Sequence, residues 1–127
     1  MQRLSVLIVD NSTDLRKELE SVLMDLDPLH ARRSARTPEE AISIGRAFRP
    51  DVIIYDLPLA GADDARVIAE LKAILPEARL LAISLYDHYG EAVRRAGADE
   101  FVLKTASRSV FLSALSRQCQ GVSRQSE

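Results

Sequence analysis

The chain has 127 residues, with 17 basic and 19 acidic side chains, a net charge of −2, 46% hydrophobic and 28% charged residues. That suffices for one domain with a single core and no disulfide or structural metal, and the charge balance speaks against a nucleic-acid-binding module, which would show a basic face. The single cysteine, Cys119, excludes an intramolecular disulfide. No apolar run approaches the roughly 18 residues that span a bilayer, and Met1 to Leu7 lacks a secretory pattern, so the cytoplasm is the expected compartment, with no membrane or direct nucleic-acid contact.

Taken in chain order, the first apolar run is Leu4 to Val9 (LSVLIV), followed by Asp10. It is rich in β-branched residues and does not alternate with polar ones, as expected of a strand covered on both faces of a parallel sheet. Leu15, Leu19, Val22, Leu23 and Leu26 then recur at helical spacing. Leu29 to Ala35 (LHARRSA) is the most polar strand candidate and suits a sheet edge. Thr37-Pro38-Glu39-Glu40 opens a second helix, with Thr37 as cap, Pro38 in the first turn and Glu40 completing a capping box.

Val52 to Tyr55 (VIIY) is the next strand and leads to Asp56. Val67, Ile68, Leu71, Ile74 and Leu75 mark a third helix, capped by Asp63 and stopped near Pro76. Arg79 to Ser84 (RLLAIS) is a fourth strand; Tyr89, Ala92, Val93 and Ala96 mark a fourth helix that ends at Gly97. Phe101 to Leu103 leads to Lys104, and Phe111, Leu112, Leu115 and Cys119 mark a last helix. Gln120 to Glu127 reads as a tail or the start of a linker, giving a domain over 1–121 and a tail over 122–127. Strand and helix thus alternate five times, which implies an α/β fold with a parallel sheet and helices on both faces.

In such a sheet, ligands bind beyond the carboxyl ends of the strands. Four runs end there in Asp10, Asp56, Ser84 and Lys104. A carboxylate is a nucleophile toward a phosphoryl group. Because anions meet in that attack, a hard divalent cation is needed, and paired carboxylates anchor Mg²⁺. An ammonium binds phosphoryl oxygens, and a hydroxyl donates a hydrogen bond to one of them.

With VLIVD (6–10), PDVIIYDLPLAG (50–61), LLAIS (80–84) and AGADEFVLK (96–104) in this order and spacing, the chain resembles the receiver domains of bacterial response regulators over nearly its whole length. Lys104-Thr105-Ala106-Ser107 is most similar to receivers that precede a helix-turn-helix output domain. The resemblance implies a doubly wound, flavodoxin-like (βα)5 fold with strand order 2-1-3-4-5. It implies Asp56 as phosphoacceptor, with Asp10, Asn11, Asp56 and the Pro58 carbonyl around Mg²⁺. Ser84 and Lys104 take the phosphate-binding positions, and Ser84 and Phe101 the switch positions. The phosphoryl donor would be a histidine kinase or phosphotransfer protein, and the response a change on the face of the fourth helix and fifth strand. An output domain in a longer chain and a weak homodimer are further partners that the resemblance allows.

Several positions depart from the family pattern. Asn11 stands where a second acid is usual, so weaker Mg²⁺ binding is expected; Ala60 replaces a proline and Asp64 a glycine, which alters the loop after Asp56; and Leu85 places bulk beside Ser84. These departures motivate an alternative, a degenerate receiver acting as a phosphorylation-independent interaction module. A flavin-binding carrier on the same architecture is disfavoured, because Asp10 and Asp14 in the first loop would repel a flavin phosphate. Asp10 and Asp56 taken singly read as strand-end caps, and Phe101 equally as a core aromatic. His30 and His88 read as surface residues, Cys119 as packing, and Arg32, Arg33 and Arg36 as a solvated edge.

Overall fold

The computed structural model describes residues 4–10, 29–59 and 61–122, together with Lys17 and Ser21. The helix read over Leu15 to Leu26 and the positions Asn11 and Ala60 lie outside the described residues. The strands are β1 (Leu4–Val9), β2 (Leu29–Ala35), β3 (Val52–Leu57), β4 (Arg79–Ser84) and β5 (Glu100–Leu103). They form one parallel sheet in the order β2-β1-β3-β4-β5, the order the family resemblance implied, with the polar β2 at an edge.

The described helices are α1 (Pro38–Phe48), α2 (Asp64–Ile74), α3 (Gly90–Ala96, the fourth helix of the sequence pattern) and α4 (Arg108–Gln120). Side chains alternate across each strand, so the sheet has two apolar faces. Leu7, Val9, Ile53, Tyr55 and Leu80 pack with Ile68, Leu71 and Val93 beneath α1, α2 and α3. Val6, Ile8, Val52, Ile54, Leu81, Ile83 and Val102 pack with Ala114 and Leu115 of α4. Because both faces are covered, β3 is buried along its whole length, which is why its sequence shows no alternation.

The helix starts carry the expected chemistry. Thr37 Oγ1 accepts from the Glu40 amide at 3.1 Å, and Asp63 Oδ1 accepts from the Arg66 amide at 3.3 Å. The capping box at α1 is shifted by one residue: Glu40 accepts from the Arg36 amide at 2.8 Å, anchoring the chain before the cap. Gly97 ends α3 at φ 120°, a conformation few L-residues adopt.

Three boundaries differ from the sequence reading. β3 continues past Tyr55 to Leu57, because Asp56 and Leu57 keep pairing with Ile83 and Ser84. Tyr89 belongs to a short 3-10 turn (Asp87–Tyr89) that precedes α3. Gln120 completes α4, and Val122, read as the start of a tail, packs against the α4 side of the core.

Candidate functional site

Asp10, Asp56, Ser84 and Lys104 come together at the carboxyl end of the sheet. β1 and β3 pair with Val9 opposite Tyr55, so the next residue of each strand, Asp10 and Asp56, sits on neighbouring chains about 5 Å apart along the sheet. The Asp10 amide donates to the Ala35 carbonyl at 2.9 Å, which extends the sheet to the site. Asp10 is fully buried and Asp56 is 7% exposed.

Lys104 closes the set from β5. Its amide donates to the Ser84 carbonyl at 2.7 Å, fixing the chain beyond the strand, and its ammonium lies 2.8 Å from Asp56 Oδ1. Burial pushes the Asp56 carboxyl above its ordinary range. The Lys104 ion pair opposes that shift, and the negative charge of Asp64 adds to it. Ser84 is fully buried and its Oγ accepts from the Tyr86 amide at 3.1 Å, so the hydroxyl stands at the strand end with its proton free to point elsewhere. Among the described residues, two carboxylates and no soft ligand form a donor set suited to a hard divalent cation.

The remaining predicted positions fall around this centre. Pro58 is exposed, two residues beyond Asp56. Phe101 lies outside the carboxylate cluster. It pairs with Ala82 across β5 and β4 and lays its ring on Gly90, where an added Cβ would meet the ring at 3.1 Å. Leu85 is 54% exposed beside the buried Ser84. Tyr86, His88 and Tyr89 form an aromatic group after β4, with the His88 and Tyr89 rings 4.3 Å apart. Arg33 sits over the Phe48 ring at 5.1 Å, consistent with a solvated edge whose arginine stem still packs. Cys119 is half-buried, and burial raises its thiol, as fits a packing residue.

One contact was not legible as part of the site. The Tyr55 hydroxyl, on the residue before Asp56, donates to Asp64 Oδ1 at 2.7 Å, and the Leu59 amide donates to the same oxygen at 3.1 Å. Burial first, and then the Asp64 carboxylate, push the Tyr55 hydroxyl far above its ordinary range, so it stays a donor. A buried tyrosine hydroxyl needs a partner, and that requirement was the available signal.

Comparison with known proteins identifies the family and the fold. The chain is 26% identical over 122 residues to the response regulator protein VraR of Staphylococcus aureus, an alignment covering 94% of this chain. It covers 58% of that protein, so the chain spans little more than half the length of the curated relatives it matches. A response regulator from Burkholderia pseudomallei, solved with a phosphorylated aspartic acid, a calcium ion and citrate, superposes with a TM-score of 0.77 at 26% identity, covering 88% of this chain and 66% of that one. A LuxR-family two-component response regulator from Aurantimonas sp. SI85-9A1 shares the fold at a TM-score of 0.86 and 19% identity, covering 94% of this chain and 87% of that one. The family model for the response regulator receiver domain matches residues 6–116, and the chain belongs to that family of two-component signalling modules.

Proposed function

We propose that this domain accepts a phosphoryl group on Asp56 and transmits the event through the surface around β4, α3 and β5. The observation that carries the reading is the Lys104 ammonium 2.8 Å from a buried Asp56 carboxylate, with the buried Asp10 on the adjacent strand. The donor is a phosphohistidine on a histidine kinase or phosphotransfer protein. An Asp56 oxygen bonds to phosphorus, the phosphorus–nitrogen bond breaks, and the imidazole leaves with the electron pair. Lys104 holds the incoming phosphoryl oxygens and offsets their charge. The Ser84 hydroxyl turns to donate to one of them.

Asp10, Asp56, the Pro58 carbonyl and Asn11 are the residues to hold Mg²⁺, which supplies positive charge where anions converge. With an amide at Asn11 rather than a carboxylate, the affinity is expected to be modest. As Ser84 moves, Phe101 shifts on the flat seat that Gly90 provides, and the outer surface of α3 and β5 changes. The domain assists its own phosphoryl transfer and loss, and acts as a switch rather than a turnover enzyme. Its expected place is the cytoplasm, and the relatives it matches are longer than the part it covers.

The test is intact mass spectrometry after incubation with Mg²⁺ and acetyl phosphate, comparing the wild type with Asp56→Asn. Gain of one phosphoryl mass by the wild type alone is expected. No gain at saturating Mg²⁺, together with failure of beryllofluoride to perturb the site, would point to a phosphorylation-independent interaction module instead.

A further inference from the structure

We propose that Tyr55 and Asp64 form a clamp that presets the loop after Asp56 for phosphoryl transfer, with Asp64 as a positioning residue; this rests on the reading of Asp56 as phosphoacceptor. The clamp grips the chain on both sides of Asp56. Tyr55 lies immediately before it, fully buried in β3, so its hydroxyl is a fixed anchor. Leu59 lies three residues after it, 2% exposed, and donates its amide to the same Asp64 oxygen that Tyr55 holds. Asp64 is the first residue of α2, so the helix start, the strand end and the loop meet at one oxygen atom.

Among the described residues between Pro58 and Asp63, the other contacts are local: Asp63 caps the start of α2. The Ala62 amide donates to the Leu59 carbonyl at 3.0 Å, and Gly61 turns through a positive φ of 72° with open space around it. Pro58, whose carbonyl is the candidate metal ligand, lies within the gripped segment, next to Leu59. At 2.7 Å and 3.1 Å both contacts are well-formed hydrogen bonds, so one Asp64 oxygen is held from the strand and from the loop. A carboxylate at position 64 therefore does more than satisfy the tyrosine. It sets the backbone between two donors that bracket the reacting side chain, and small displacements of a reacting geometry cost large factors in rate.

The test compares the wild type with Tyr55→Phe, Asp64→Ala and Asp64→Asn. Labelling by acetyl phosphate is followed by intact mass across phosphodonor concentrations to separate maximal rate from half-saturation. Mg²⁺ binding to the unphosphorylated protein is followed by calorimetry. Asp64→Ala is expected to lower the maximal rate and the Mg²⁺ affinity about tenfold each, the size of a lost hydrogen bond. Tyr55→Phe should show the same loss to a smaller degree. Asp64→Asn, which keeps an oxygen acceptor, should recover most of the wild-type behaviour. The clamp is overturned if Tyr55→Phe and Asp64→Ala match the wild type in rate and Mg²⁺ affinity, even with lower melting temperatures. It is also overturned if Asp64→Asn is as impaired as Asp64→Ala, since charge rather than position would then be acting. Should Asp64→Ala fail to fold, Tyr55→Phe lacks only one oxygen and decides the matter. A wild type that takes no phosphoryl group refutes the phosphoacceptor reading, and the Mg²⁺ titrations then still judge the clamp.

Discussion

Replacing Asp56 by asparagine keeps the shape of the side chain and removes its charge, so it measures what the site costs the fold. Two effects oppose each other. The Lys104 ammonium 2.8 Å away favours the carboxylate, but the lysine side chain is 26% exposed, and pairs with a solvated partner return only about 0–1 kcal/mol. Burying a carboxylate costs several kcal/mol even after relaxation. The balance lies with burial, because the Asp56 carboxyl titrates above its ordinary value of 3.8. We expect metal-free Asp56→Asn to be about 1 kcal/mol more stable than the wild type near neutral pH, or about 3–5 °C in Tm for a chain of this size.

The pH dependence fixes the sign. A carboxyl whose folded-state pKa is raised contributes stability that is fully present below its unfolded value, 3.8, and is lost as pH rises through the folded value. Asparagine has no such loss. The advantage of the variant should therefore be largest near pH 7 and shrink as the pH approaches 4. Thermal unfolding by circular dichroism, with chelator present, reads both proteins across that range. A variant less stable than the wild type at neutral pH, or an advantage that does not shrink on acidification, would refute the reasoning and show that the Lys104 pair outweighs burial.

Other expectations follow from single contacts. Lys104→Met should lower Tm near neutral pH, opposite in sign to Asp56→Asn, because the buried carboxylate loses its ammonium; melting curves at matched pH check this. Leu115→Ala, at a fully buried position on the α4 side of the sheet, should cost about 2–5 kcal/mol in urea unfolding. Glu100 is raised by partial burial but held below its ordinary range by hydrogen bonds from Arg117 and Gln118. The stability it adds is present above its unfolded value of 4.5 and lost as pH falls through its lower folded value. Glu100→Gln should therefore flatten the acid limb of the stability curve, read from urea midpoints at pH values on either side of 4.5.

Much of this protein follows from local chemistry alone. Short apolar runs that lead to Asp10, Asp56, Ser84 and Lys104 announce buried parallel strands, because a sheet covered on both faces favours such continuous apolarity. Thr37, Asp63 and Gly97 mark helix ends through hydrogen bonds and backbone freedom that reach no further than a few residues. What the sequence could not supply was the contact geometry, which depends on register and burial between distant segments. That Lys104 meets Asp56 rather than solvent depends on the order β3-β4-β5 and the register that sets Leu57 beside Ser84. That Asp56 titrates high depends on how completely neighbouring strands exclude water from it. The clamp between Tyr55 and Asp64 belongs to this second class. In sequence the tyrosine is one more apolar strand residue and the aspartate a departure in a loop. Only the packing of α2 across the end of β3 makes them hydrogen-bond partners, because the helix brings a carboxylate to the one point where a buried hydroxyl requires an acceptor.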